Sequence, residues 1–190
     1  MDKLKERIRK YLPFNEQEAK DKNVMLDFIK HQKDILTRKN EIAHFTASAW
    51  VVNKERSKVL LVYHNIYKSW SWTGGHADGE ADLLAVAIRE VQEETGISNV
   101  LPIKEEIFSL EIIGVDGHVK KGNYVSSHLH MNLTYLLEAD ESESLKVKID
   151  ENSDVKWFPA EEVVASSAEP KMREIYKKLM KQVEIESNKE

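Results

Sequence analysis

A glycine-rich stretch followed by one short helix lies in the middle of the chain and limits the folds that it can adopt. Four of the seven glycines fall between positions 74 and 96, and the segment from Asp82 to Thr95, ended by Gly96, has helical apolar spacing. On both sides lie segments rich in β-branched and aromatic residues, which predict strands. Strands before and after a single helix predict a mixed α/β fold, with helices packed against a mixed sheet.

The predicted strands form two pairs and one final short strand. They are residues 42–52 and 58–64, residues 105–115 and 124–138, and residues 154–158. Two charged helical segments flank them, residues 1–38 with a break at Pro13, and residues 171–184 behind Pro170. Their apolar faces predict packing, either on the central domain or on a second subunit. We therefore expect an N-terminal helical extension, residues 1–40, and a main domain, residues 41–190.

The composition excludes several classes of protein. The chain has no cysteine, which removes disulfide scaffolds, thiolate zinc sites and cysteine nucleophiles. Its 28 basic and 33 acidic side chains give a formal net charge of −5, which disfavours non-specific binding to nucleic acid. No apolar run is long enough to span a membrane, and the first residues contain no hydrophobic signal core. The sequence therefore predicts a soluble, cytoplasmic protein with neither a nucleic-acid nor a membrane partner.

Three glutamates converge near the end of the central helix. Glu90, Glu93 and Glu94 stand at i, i+3 and i+4, so their carboxylates share one face, at the helix end that disfavours anions. Clustered carboxylates suit Mg²⁺, and Arg89 is four residues before Glu93, where it can form an ion pair. The preceding glycine-rich loop can bring backbone close to a phosphate. A solvated acidic helix end is the alternative, and spacing alone leaves both interpretations open.

The same window resembles the Nudix box, Gly-x5-Glu-x7-Arg-Glu-U-x-Glu-Glu-x-Gly-U, where U is apolar. Eight of its nine fixed positions match, at Gly75, Arg89, Glu90, Val91, Glu93, Glu94, Gly96 and Ile97. The exception is Ala81, where the box has a glutamate, and the adjacent Glu80 is the candidate replacement. The resemblance implies the Nudix-type α/β/α sandwich, here with additional N-terminal helices and a C-terminal helix.

Nudix enzymes hydrolyse a nucleoside diphosphate linked to another group, usually with Mg²⁺ or Mn²⁺. The resemblance therefore implies a pyrophosphohydrolase that acts on a small nucleotide. The residues that match the metal ligands are Gly75, Glu90, Glu93 and Glu94. The box residues that the resemblance assigns to catalysis are Arg89, Glu90 and Glu93. In this scheme Arg89 orients the glutamates, and Glu90 is a further ligand or a base near the attacking water.

The general base and the substrate are less constrained. Family members often take the base from a loop outside the box, and Glu151, in the acidic segment 140–154, is our candidate, with a solvated loop as the alternative. Residues 112–115 carry neither the proline nor the tyrosine that mark substrate subgroups, so a nucleotide sugar such as ADP-ribose and a nucleoside triphosphate both remain candidates. Nudix proteins often dimerise, so a homodimer is also expected.

Two other functions are weighed against hydrolysis. A Nudix-like module that senses a nucleotide without cleaving it would be expected to lose box carboxylates or the arginine, whereas all of them are present here. An isomerase that acts on isopentenyl diphosphate shares the fold, but its chemistry resembles one that needs a cysteine, and the chain has none. The nucleotide-sensing module therefore stays as the alternative.

Further candidates for substrate binding lie beside the box and on two strands. Trp72 precedes the box, where it can stack on a nucleobase or pack in the core. His128 and His130 form a polar row on one predicted strand, and His44 begins a similar row on the first strand. These rows can form the floor of a cleft, a zinc site or an ordinary polar sheet face. The residues expected to bind substrate are Trp72, Gly74, Gly75, His76, His128 and His130.

Overall fold

A computed structural model describes residues 2–120 and 122–188. Within them the α-helices are α1 (Asp2–Lys10), α2 (Glu16–His31), α3 (Leu83–Thr95), α4 (Val163–Ser166) and α5 (Pro170–Ser187). The strands are β1 (Ala43–Val52), β2 (Lys58–His64), β3 (Ser69–Ser71), β4 (Thr73–His76), β5 (Val100–Pro102), β6 (Ser109–Val115), β7 (His118–Lys120), β8 (Asn123–Val125), β9 (His128–Ala139) and β10 (Asn152–Pro159). The predicted mixed α/β class is confirmed.

The chain divides into two compact units, which we call unit 1 and unit 2. Unit 1 consists of the described parts of Met1–Ser48, Gly74–Val86 and Glu105–Tyr135. Unit 2 consists of the described parts of Ala49–Thr73, Ala87–Lys104 and Leu136–Glu190. The elements β1, β4, α3 and β9 contribute residues to both units.

The sheet of unit 1 is built from the first part of β1, β4, β6 and the first part of β9. β4 pairs with β1, and β6 pairs antiparallel with β9 from Ser109↔Thr134 to Val115↔His128. This register aligns the polar residues of β9 along one face, since side chains alternate along a strand. A separate antiparallel hairpin is formed by β7 and β8.

The two N-terminal helices pack within unit 1. Leu4 and Ile8 of α1 and Met25 of α2 are buried, as their helical spacing predicts. Asn15 caps α2 by accepting a hydrogen bond from the Glu18 backbone amide at 2.9 Å. The buried Glu18 carboxylate in turn accepts hydrogen bonds from side chains of unit 1, so the contact between the helices and the sheet is partly polar.

In unit 2, β2 lies between β10 and the end of β1, and β3 also pairs with β2. The predicted loop between β1 and β2 is closed by Asn53, whose side-chain oxygen accepts hydrogen bonds from the Ser57 and Lys58 amides at 2.9 Å each. Tyr176 of α5 is fully buried, with its ring centroid 5.1 Å from that of Trp50. The C-terminal helix is therefore part of the core of unit 2.

Several predicted boundaries were wrong. The N-terminal helical segment ends at His31 rather than at residue 38, and the residues after it form turns with Asp34 at φ 54°. The predicted strand 124–138 is divided, because β8 turns back to pair with β7 and β9 starts only at His128. β6 begins at Ser109, four residues after the predicted start. Within the described residues, no helix has both the length and the apolar character required to cross a bilayer.

Candidate functional site

The C-terminal half of α3 carries the box glutamates and belongs to unit 2. Its apolar side is fixed by Val91, which is fully buried. The helix ends at Gly96, which has φ +75° and donates its amide to the Gln92 carbonyl at 3.0 Å. A Cβ at this glycine would lie 2.8 Å from the Cβ of Lys146, so a larger residue would displace the neighbouring segment. The position of the glutamates is therefore set by the buried face of the helix and by its C-terminal end.

The carboxylates at this end of α3 alternate with two cations. Arg89 lies 3.8 Å from both the Glu90 and the Glu93 carboxylates. Lys148 lies 3.4 Å from the other Glu93 oxygen and 2.9 Å from the Glu151 carboxylate. Burial raises the pKa of Glu90, and the neighbouring charge of Glu93 raises it further. Glu151, the sequence-based candidate for the base, is therefore connected to the box through Lys148.

Glu94 has different surroundings from the other two box glutamates. It is 4% exposed, whereas the Glu93 side chain is 48% exposed. The side-chain amide of the buried Asn152, on β10, donates to the Glu94 carboxylate at 3.4 Å. Sequence patterns do not predict this contact, because 58 residues separate the two partners. Glu94 is therefore held in position by the strand on which Asn152 lies.

The chemistry of this group fits a hard divalent cation. Four carboxylates, those of Glu90, Glu93, Glu94 and Glu151, lie among two cationic side chains, which leaves an excess of negative charge. Oxygen donors of this kind suit Mg²⁺ or Mn²⁺. In the described chain, the group of ligand side chains whose atoms all lie within 4.8 Å of one another consists of histidines instead.

The glycine-rich loop belongs to unit 1. A Cβ on Gly74 would lie 2.6 Å from the Ala47 carbonyl and 2.7 Å from the Ser48 hydroxyl. Gly74 therefore allows β4 to lie close to β1. Gly75 follows it on β4, so this predicted metal ligand and the α3 glutamates belong to different units.

Glu80, the candidate replacement for the missing box glutamate, has a local role in the structure. Its carboxylate accepts a hydrogen bond from the Asp82 amide at 2.8 Å, immediately before α3 begins. Asp82 itself forms an ion pair with Arg7 of α1 at 3.2 Å. These contacts connect the start of α3 to the N-terminal helix within unit 1.

Trp72 lies in unit 2 with only 9% of its surface exposed. Its backbone amide donates to the Tyr176 hydroxyl at 3.1 Å, and the two ring centroids are 5.8 Å apart. This environment fits the core-packing interpretation of the tryptophan.

The two polar rows of unit 1 are neighbours, as their positions on β1 and β9 suggest. The hydroxyls of Thr46 and Ser48 both donate to the Asn132 side-chain oxygen, at 2.9 Å each. At one end of these rows is a group that we call the histidine cluster. Its members are His44, His76, His128 and His130.

Burial is the main cause of the unusual electrostatics of the histidine cluster. It lowers the pKa of His44, and it lowers that of His130 to about 2, with the neighbouring imidazoles adding to the effect. These two side chains are therefore neutral at physiological pH. The sequence placed His76 in a loop and the other three on strands, and its spacing gave no signal that all four converge.

Comparison with known proteins assigns the family. The family model of the NUDIX domain matches residues 43–181, and the chain therefore belongs to the Nudix family. A relative described as an RNA pyrophosphohydrolase from Pelagibacter ubique (strain HTCC1062) is 30% identical over 138 residues, which cover 70% of this chain and 86% of the relative. The protein is a Nudix-type pyrophosphohydrolase, as the box predicts.

Solved structures confirm the fold. A hydrolase of the NUDIX family from Clostridium perfringens has a TM-score of 0.52 and 24% identity, covering 74% of this chain and 97% of its own. The MutT protein from Methanosarcina mazei Go1 has a TM-score of 0.55 and 15% identity, covering 75% of this chain and 96% of its own. At these identities the likeness establishes the Nudix fold.

Proposed function

We propose that this pyrophosphohydrolase cleaves a diphosphate bond in a small nucleotide, either a nucleotide sugar such as ADP-ribose or a nucleoside triphosphate, with Mg²⁺ or Mn²⁺. The observation that carries the proposal is the complete set of Arg89, Glu90, Glu93 and Glu94 within unit 2, where negative charge exceeds positive charge. A diphosphate is itself anionic, so the carboxylates need a cation before such a substrate can bind.

The side chains of unit 2 have separable roles in this proposal. Glu93 and Glu94 would hold the cation, with Glu90 either as a further ligand or as a base near the attacking water. The bound cation supplies positive charge for the diphosphate and lowers the pKa of water. Arg89 orients Glu93, to which it is paired at 3.8 Å.

Two carboxylates are candidates for the general base. Glu90 is partly buried, and its raised pKa makes it a better proton acceptor near neutral pH than an ordinary carboxylate. Glu151 is paired with Lys148 at 2.9 Å and is released for this role only if that ion pair opens. We favour Glu90 for this reason and keep Glu151 as the second candidate.

Other substrate contacts are proposed from the sequence assignments. Gly74 and Gly75 offer backbone, and His76, His128 and His130 offer imidazoles for phosphate or ribose oxygens. Trp72, also assigned from the sequence, packs against Tyr176 within unit 2.

RNA is the second candidate substrate. The relative from Pelagibacter ubique, 30% identical to this chain, is described as an RNA pyrophosphohydrolase. The net charge of −5 favours a small nucleotide, because RNA binding usually requires a basic surface. Homodimerisation and a cytoplasmic location stay predictions. Sedimentation velocity and fractionation of cells would test them.

A substrate panel tests the proposal. Wild-type protein is incubated with ADP-ribose, nucleotide sugars, nucleoside triphosphates and 5′-triphosphorylated RNA, with Mg²⁺ or with a chelator, and product release is measured. Glu93→Gln is the inactive reference, and Glu161→Gln, which changes an exposed glutamate outside the site, is the matched control. Metal-dependent cleavage of a small nucleotide supports the proposal, and cleavage of RNA alone supports the second candidate. Nucleotide-dependent thermal stabilisation with no cleavage of any substrate would contradict both and favour a sensing module.

A further inference from the structure

The histidine cluster of unit 1 takes no part in the proposed hydrolytic step, although three of its members are proposed substrate contacts. Its four side chains come from three strands, since His44 lies on β1, His76 on β4, and His128 with His130 on β9. We propose that this cluster is a binding site for Zn²⁺, with imidazole nitrogens as its only protein ligands. The proposal is independent of the carboxylate site in unit 2.

The spacing of the nitrogens is close to that of a zinc site. All four offer a ring nitrogen, and these atoms lie within 4.8 Å of one another. The His128 and His130 Nε2 atoms are 3.1 Å apart. Bonds of about 2.0–2.1 Å to a tetrahedral Zn²⁺ place ligand nitrogens about 3.3 Å apart. One edge of the tetrahedron is therefore present already, and shifts of about 1 Å in the side chains would form the others.

Two of the histidines are oriented as zinc ligands usually are. The Nδ1 of His44 lies 3.0 Å from the Asn40 carbonyl, and the Nδ1 of His128 lies 2.8 Å from the Ser126 carbonyl. Because a carbonyl only accepts hydrogen bonds, each Nδ1 carries the proton and each Nε2 presents its lone pair. This arrangement fixes the tautomer and the ring orientation that a metal needs.

His44 distinguishes a metal site from an ordinary polar cluster. A hydrogen bond from His130 to His128 would satisfy that pair without any metal. It would leave the Nε2 of His44 buried with no hydrogen-bond partner, in a residue that is only 4% exposed. Buried acceptors are rarely left unpaired, and a metal ion at the centre of the cluster would satisfy this nitrogen.

Imidazole ligands favour Zn²⁺ over Mg²⁺ at this cluster. Imidazole is a good ligand for Zn²⁺, Cu²⁺ and Ni²⁺, whereas Mg²⁺ prefers oxygen. Arg38 and Asp78, whose charges act on His44, form an ion pair with each other at 3.0 Å, so their charges largely cancel. The carboxylates of unit 2 and the histidine cluster therefore differ in the cation that each prefers.

A zinc titration tests the proposal. Zn²⁺ is titrated into the full chain in competition with a chromophoric chelator, in a large excess of Mg²⁺ to occupy the carboxylates. The variants are His128→Gln and His76→Gln, both at partly exposed positions, and each is checked by circular dichroism. His31→Gln, at an exposed histidine of α2, is the matched control, and Glu93→Gln separates this site from the carboxylate site.

The expected result is one tightly bound Zn²⁺ per chain, with affinity reduced more than about 100-fold in His128→Gln and His76→Gln. His31→Gln and Glu93→Gln should bind as the wild type does. Replacement by Co²⁺ should give the strong visible absorption of a tetrahedral nitrogen site. Absence of tight Zn²⁺ binding by the wild type, or equal affinity in wild type and both cluster variants, would overturn the proposal.

Discussion

The Lys148 ammonium lies 3.4 Å from the Glu93 carboxylate and 2.9 Å from the Glu151 carboxylate. A lysine thus joins a glutamate of the Nudix box to one from a distant loop. The Lys148 ammonium lies beside Glu93, where the proposed function requires a divalent cation. The ammonium and the metal therefore compete for Glu93.

Replacing Lys148 by methionine should strengthen metal binding. The change removes a competing positive charge, and a partly exposed ion pair of this kind is worth up to about 1 kcal/mol, so Mn²⁺ should bind about two- to fivefold more tightly. Mn²⁺ titration followed by electron paramagnetic resonance measures this. Lys177→Met, at an exposed lysine paired with Glu174, is the control and should bind as the wild type does. Weaker binding by Lys148→Met would contradict the competition.

Glu18→Gln should destabilise unit 1. The buried Glu18 carboxylate accepts hydrogen bonds from the Tyr11 hydroxyl at 2.6 Å and the Ser109 hydroxyl at 2.8 Å. An amide offers one acceptor oxygen and adds two donors, so we expect a loss of about 2–3 kcal/mol in the free energy of unfolding. Urea denaturation measures it. Glu16→Gln, at an exposed position in the same helix, should change it by less than about 0.5 kcal/mol.

Tyr176→Phe should destabilise unit 2 without removing its aromatic packing. The Tyr176 hydroxyl accepts the Trp72 amide at 3.1 Å in a buried environment. Phenylalanine leaves that amide without its partner, so the free energy of unfolding should fall by about 1–2 kcal/mol. Thermal or chemical denaturation measures the change. Tyr63→Phe is the matched control, because the Tyr63 hydroxyl donates to the Lys68 carbonyl at an exposed site. Equal effects of the two changes would contradict the buried hydrogen bond.

Glu169 should make stability depend on pH. Burial raises the pKa of Glu169 above its ordinary value of 4.5. The folded state therefore binds the Glu169 proton more tightly than the unfolded state does. Protonated Glu169 adds to the free energy of unfolding below the ordinary pKa, and this contribution is lost as pH rises through the folded-state pKa. Glu169→Gln mimics the protonated form, so the variant should match the wild type at acidic pH and exceed its stability at neutral pH. Urea denaturation at several pH values tests this, and a constant difference between the two proteins would contradict it.

The sequence predicted α3 well, because several signals agree there. Apolar spacing marks its buried face, and Gly96 ends it with a positive φ that few other residues adopt. The predicted hairpin between β1 and β2 is also confirmed, with Asn53 closing the loop. Where local preference and packing favour the same structure, sequence patterns are sufficient to predict the element.

The errors arise where apolar spacing fits two structures. Ile35 and Leu36 are buried, as a helix would bury them, but they lie in turns after α2. The residues before His128 have strand-like composition, which predicts one continuous strand from residue 124. Their pairing as β8 with β7 depends on the partner segment, so the residues of β8 alone do not reveal the break. The short strands β3, β4 and β5 have too few residues to show alternation.

The site was predictable only in part. The box spacing identified Arg89 and the three glutamates, since they lie within one helix. The contacts of Glu93 with Lys148 and of Glu94 with Asn152 join residues more than 50 positions apart. No pattern of neighbouring residues can reveal contacts that depend on how distant strands pair.

The most direct test of the account is the rate of Mg²⁺-dependent diphosphate hydrolysis by Glu93→Gln, with the preferred substrate from the panel. Glu93→Gln keeps the size of the side chain but removes the charge shared by Arg89 and Lys148. We predict a loss of at least about 100-fold in kcat at saturating substrate, with an unchanged circular dichroism spectrum and normal activity in Glu161→Gln. Wild-type activity in folded Glu93→Gln would contradict the assignment of this carboxylate to the catalytic site.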